Sequence, residues 1–116
     1  MAVRSMITRY ALFEGSIHAG RDAAFRQAVL QELVPTWRTF PGVLEVRVSF
    51  VQERDESTPE LVLILAVDYP DRVAMDTALA SEARKISRST TQRILPRFFS
   101  GRIHHHVTEL LSFPPG

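Results

Sequence analysis

The sequence predicts an α+β domain in the order strand, helix, strand, strand, helices, strand, and three observations lead there. Four runs, Met6 to Ile17, Val43 to Glu53, Leu61 to Val67 and Gly101 to Glu109, are rich in β-branched and aromatic residues or alternate apolar with polar side chains, as strands do. Between them, Phe25, Val29, Leu33, Trp37 and Phe40 recur at helical spacing, and so do Ala83, Ile86, Thr90 and Ile94. Finally, 116 residues make one sheet and one layer of helices, so a single domain over 1–116 with no linker is expected.

In the first strand the run Ile7-Thr8-Arg9-Tyr10-Ala11-Leu12-Phe13-Glu14 ends at His18-Ala19-Gly20, a breaker before a helix. From Arg21 to about Phe40 the chain reads as an amphipathic helix, with Arg26, Gln27, Gln31 and Glu32 on its polar side and Asp22 at the positive end of its dipole. Pro35 lacks an N–H and disfavours helical geometry at Val34, so a kink or a fresh turn is expected there, and Pro41-Gly42 stops the helix. The second strand alternates, with Leu44, Val46, Val48 and Phe50 on one face and Glu45, Arg47 and Ser49 on the other. Gln52 to Glu60 is a solvated hairpin loop. Leu61 to Val67 is unbroken in its apolarity and calls for dry surroundings on both faces. Tyr69-Pro70-Asp71 turns the chain into a short helical segment, Ser81 caps a second helix, and Pro96 and Gly101 close it before the last strand. The tail beyond it, 110–116, is expected to be disordered or to lie against a partner.

In the usual split arrangement of this order the sheet is antiparallel, the first and third strands are central, the fourth is an edge beside the first, and both helices lie on one face. The opposite face then has no cover for alternate residues of Leu61 to Val67. A second copy is the natural candidate, giving a twofold homodimer whose sheets face each other.

The bulk composition excludes several function classes. A net charge of +1 from 14 basic and 13 acidic side chains leaves no electrostatic footprint for nucleic acid or an anionic membrane. The same element order builds an RNA-recognition fold, but Leu61 to Val67 carries neither the basic residue nor the exposed aromatics that stack bases. Zero cysteines remove disulfide and thiolate readings and are compatible with a cytoplasmic protein. Met1-Ala2-Val3-Arg4-Ser5 lacks the apolar core of a secretion signal, and no apolar run reaches membrane-spanning length.

Chemistry shows in one place, Gly101-Arg102-Ile103-His104-His105-His106-Val107-Thr108-Glu109. Strand alternation sends His104 and His106 to one face with Arg102 and Thr108, and His105 to the other between Ile103 and Val107. If the apolar face of the second strand meets the helices, His105 shares it. There it is a general acid or base in an apolar pocket or a hydrogen-bonded core histidine. His104 and His106 are candidate catalytic residues too, or a solvated or interfacial pair. With His18 brought near by antiparallel pairing they form a conceivable metal set, but no motif fixes a carboxylate beside them, and no metal is assigned.

The runs Tyr10-Ala11-Leu12-Phe13-Glu14-Gly15, Leu33-Val34-Pro35-Thr36-Trp37-Arg38 through Phe40-Pro41-Gly42, Tyr69-Pro70-Asp71-Arg72 and Gly101-Arg102-Ile103-His104-His105-His106-Val107 resemble EthD-like proteins of the dimeric α+β barrel superfamily. The resemblance covers about Met6 to Glu109. It implies a ferredoxin-like βαββαβ fold, a homodimer, and a small-molecule pocket between helices and sheet. It supplies no catalytic motif that maps residue by residue. Within such a pocket Trp37, from the core stripe, is a candidate apolar wall and Tyr10 a candidate phenol. On the polar face of the second strand Glu45 and Arg47 are candidates to orient an anionic substrate or to pair across the dimer, and the favoured reading is a cross-strand or surface ion pair. Two functions follow as expectations. One is cofactor-independent chemistry of monooxygenase or isomerase type on an apolar or aromatic metabolite, with histidine as acid or base. The other is a non-catalytic homodimer that binds a metabolite or assists another enzyme.

Overall fold

A computed structural model describes residues 4–116. The reading of Met1-Ala2-Val3 as the start of a chain without a secretion signal lies outside them. The strands are β1 (Arg4–Ile17), β2 (Glu45–Phe50), β3 (Leu61–Tyr69) and β4 (Phe99–Ser112), and the helices are α1 (Asp22–Ala28), α2 (Val34–Trp37), α3 (Arg72–Leu79) and α4 (Glu82–Ile94). The four strands form one antiparallel sheet in the order β2-β3-β1-β4, the expected ferredoxin-like split arrangement with β4 an edge beside β1. Among the described residues no helix is long and apolar enough to cross a membrane.

Local chemistry accounts for the helices. Val29 to Leu33 forms a π-helical segment between α1 and α2, in which the Val34 N–H reaches back to the Val29 carbonyl, and Pro35 sits in the first turn of α2. The fresh turn expected at Val34 is therefore present, and its cause lies partly in the stripe itself. Phe25, Val29, Leu33 and Trp37 repeat every four residues, which drifts around an α-helix of 3.6 residues per turn, and the wider π turn corrects the drift. All four side chains are buried. Asp71 and Ser81 cap α3 and α4, accepting from the backbone N–H of Ala74 (2.8 Å) and Arg84 (3.2 Å).

In α4 the expected stripe is rotated: Ile86 is exposed, and the buried side chains are Ser87 and Ile94. β2 is shorter than expected and β3 runs on to Tyr69. β4 continues through Ser112, where Leu110, Leu111 and Ser112 pair with Met6, Ser5 and Arg4, so these three belong to the sheet and only 113–116 follow it. The two long strands pass Gly15 and Gly101 opposite each other, both at positive φ (152° and 158°). A Cβ on either would fall 2.2 or 2.1 Å from a carbonyl oxygen of the other strand, so only glycine fits this crossing.

The core lies between the helices and one face of the sheet, where Phe13, Leu63, Leu65, Val67 and Tyr69 meet Phe25, Val29, Leu33, Met75 and Ile94. On the far face the cover of β3 is polar. Ala66 and Asp68 are buried, and Leu12 and Ile64 are half-buried outside the core cluster. The bare apolar strip expected there is thus broken up by charged and hydroxyl groups.

Candidate functional site

The helix-facing side of the sheet does not fill completely. Along β1 the inward residues are Arg9, Ala11 and Phe13, and Ala11 stands in register with Leu65 of β3 on one side and His105 of β4 on the other. Its methyl group is the short step in the middle of the floor. Above it, the face of α4 turned inward is Arg84, Ser87, Arg88 and Thr91, spaced three and four residues apart. Ser87 is buried and accepts from the Thr36 hydroxyl at 3.1 Å, which ties α4 to α2. Small side chains on both layers leave a cavity of about 470 Å³ between helices and sheet. Trp37 and Phe40 close one wall, Tyr69 and Val67 lie on the floor, and Ile103 and His105 form the β4 side.

His105 therefore stands where alternation puts it, on the cavity side, at the rim, where its place on an edge strand leaves it exposed. Its pKa is lowered from 6.5 to about 4, first by loss of water on the side of the ring turned to the cavity, then by the charges of Arg9, Arg84, His104 and Arg88. It is neutral at pH 7. Burial likewise raises the Tyr69 phenol, which stays protonated, and lowers Arg9, whose guanidinium is further opposed by Arg84. Sequence reasoning does not single out these arginines. Their signal is the Arg84-Ser87-Arg88-Thr91 spacing, which by itself reads as a solvated helix face.

The far face holds the remaining candidates. Tyr10 and His106 are in register with each other, so both point away from the cavity, and Arg47 lies on that side too. Tyr10, expected to give a phenol to the helix–sheet pocket, therefore lies outside the cavity: alternation gives the inward positions of β1 to Arg9, Ala11 and Phe13. Arg47, on the polar face of β2, makes the cross-strand ion pair: it holds Asp68, donating from Nε at 3.0 Å and Nη2 at 2.8 Å, while the Thr8 hydroxyl donates to the same carboxylate at 2.6 Å. Burial alone would raise the Asp68 pKa, but the hydrogen bonds from Arg47 and Thr8 and the charge of Arg47 together hold it below the usual value. The Tyr10 hydroxyl is a further neighbour of the Arg47 guanidinium.

His104 and His106 do share the far face, with ring centroids 5.4 Å apart. His104 Nε2 lies 3.2 Å from Glu14 Oε1 and its Nδ1 lies 3.3 Å from His106 Nε2, and Arg102 donates to the same Glu14 oxygen at 3.3 Å. In the tautomer that donates from Nε2 to Glu14, His104 Nδ1 accepts from His106, so Glu14, His104 and His106 form a row. The donors do not converge on a point. His18 is engaged elsewhere, with Ser100 Oγ at 2.7 Å, and among the described residues no three histidine, aspartate or glutamate side chains are gathered as a metal site.

No family model matches the sequence and no curated protein matches it. Solved structures do. An ethyl tert-butyl ether D (EthD) family protein from Bacillus halodurans C-125 is similar at 18% identity with a TM-score of 0.67, over 85% of this chain and 96% of that one. A monooxygenase from the gene ActVA-Orf6 of Streptomyces coelicolor, in complex with the ligand Nanaomycin D, is similar at 13% identity with a TM-score of 0.65, over 97% of this chain and 95% of that one. A point mutant of SnoaB, a cofactor-independent oxygenase from Streptomyces nogalater, is similar at 17% identity with a TM-score of 0.55, over 89% of this chain and 90% of that one. The chain has the fold that an EthD family protein and these oxygenases share, the fold its sequence led us to expect.

Proposed function

We propose that this protein binds a small aromatic or largely apolar metabolite in the helix–sheet cavity and that His105 acts there as acid or base, in cofactor-independent chemistry of monooxygenase or isomerase type. One observation carries the reading: a neutral imidazole opens onto a cavity of about 470 Å³ walled by Trp37, Phe40 and Tyr69. The likeness of the fold to a cofactor-independent oxygenase supports the reaction class. In the isomerase form, the imidazole takes a proton from carbon and returns it to another carbon. In the oxygenase form, dioxygen is the oxidant: a methylene becomes a carbonyl and the second oxygen atom leaves as water. The same reading has the protein work as a homodimer through its sheet faces, in the cytoplasm. The half-buried Leu12 and Ile64 support the dimer, with His104 and His106 on the face it would cover.

A second reading, a metabolite-binding protein without catalysis, is favoured by one fact: an imidazole with a pKa of about 4 is a weak proton acceptor. Hydrogen–deuterium exchange at the enolisable ring carbon of 1,3-dihydroxynaphthalene, followed by NMR with wild type and His105→Ala, separates the two. Base catalysis predicts exchange faster than buffer and a loss of about 10²–10⁴-fold in the variant. Equal rates with binding retained would leave the non-catalytic reading.

A further inference from the structure

Every charged side chain that lines the cavity is positive. These are Arg9 from β1 and Arg84 and Arg88 from α4, and the remaining polar groups, Tyr69, Ser87, Thr91, Gln92 and the neutral His105, are uncharged. No aspartate or glutamate is among its lining residues, and among the described residues none forms an ion pair with these arginines. The acids that do pair with arginine elsewhere sit on the far face: Asp68 with Arg47, and Glu14 with Arg102. Arg9 and Arg84 are half-buried and Arg88 is exposed at the cavity's edge; guanidinium groups drawn to one space without a counter-charge repel each other, and they persist where something brings the missing charge. The Arg9 guanidinium is lowered by burial and by the charge of Arg84, in keeping with that cost.

We infer that the cavity is selective for an organic carboxylate: an aromatic frame lies on Ala11, Val67 and Trp37, and its carboxylate is seated among Arg9, Arg84 and Arg88. Guanidinium forks match a carboxylate in plane and spacing, and Tyr69 supplies one more donor. A bare inorganic anion would leave the apolar floor unused. The inference rests on the cavity being a ligand site and adds the class of ligand to it.

The test compares 2-naphthoate with its neutral isostere 2-naphthamide, by calorimetry for affinity and by the indole N–H resonance of Trp37, the only tryptophan in the chain, for location. Both probes should shift that resonance, and at low salt the carboxylate should bind at least about tenfold more tightly, the scale of a charged hydrogen bond. In Arg84→Gln/Arg88→Gln, which keeps similar helix propensity and removes two of the three cavity charges, the preference for 2-naphthoate over 2-naphthamide should fall at least about threefold. Equal affinities for the two probes, or a preference unchanged in the double variant, would overturn the carboxylate inference and leave the cavity reading in place. If neither probe shifts Trp37 at its solubility limit, both fall together.

Discussion

The two faces of one sheet treat charge in opposite ways. On the far face four charged groups have found partners within the chain: Arg47 and Thr8 hold Asp68, and Arg102 and His104 share Glu14, with His106 next in the row. On the helix side Arg9, Arg84 and Arg88 line a cavity that contains no acid. Pairing on the first face makes its polar groups part of the architecture. The open charges on the second mark the surface that has work left to do, and the following changes break or sharpen that contrast.

The largest effect on stability belongs to the paired face. Arg47→Ala leaves a carboxylate that is only 3% exposed with Thr8 as its remaining side-chain donor. Losing one partner of a buried ion pair costs about 3–5 kcal/mol, and since the Arg47 side chain is 41% exposed we expect about 2 kcal/mol, read from urea unfolding, with probe binding unchanged. The pH signature follows from sign. Asp68 has a lowered folded pKa, so its contribution is present above the unfolded value of 3.8 and is lost as pH falls through the folded value; this loss should be absent from Arg47→Ala.

On the open face, Ala11→Leu grows into the cavity rather than into packed atoms. It should cost no more than about 1.5 kcal/mol yet weaken binding of 2-naphthoate about tenfold or more. Unchanged affinity would place the ligand elsewhere.

His105 provides a finer probe. Its folded pKa, about 4, lies below its unfolded 6.5, so between these values the unfolded chain holds more protons and stability falls on acidification. The penalty is complete below about 4 and absent above about 6.5. Thermal melts across this window should show a shallower slope in His105→Gln. The smallest effect is expected from His106→Ala, an exposed side chain at the end of a row, at about 0.5 kcal/mol or less and with no change in binding.

How far the sequence is readable depends on the range of the interaction. Alternation along β4 separates His105 from His104 and His106, the Phe25-Val29-Leu33-Trp37 stripe and Pro35 mark the broken helix, and Ser81 marks the cap of α4, all from residues a few positions apart. Tyr10 reads as a pocket residue although its neighbour Ala11 is the inward one, a matter of which face of β1 meets the helices. The pairing of His104 with Glu14 needs the register of two strands far apart in the chain, and no local pattern carries it. The face of α4 is hidden for another reason: Arg84 and Arg88 resemble a solvated stripe, and only the cavity beneath them shows that Ile86 is the exposed residue.

Imidazole and indole NMR during a titration with 2-naphthoate bears most directly on the claim that the helix side of the sheet is the site. The account predicts shifts at Trp37 and His105, with the His105 pKa rising from about 4 as the carboxylate offsets Arg9, Arg84 and Arg88, and no shift at His106. Shifts at His104 and His106 with Trp37 and His105 unmoved would contradict it.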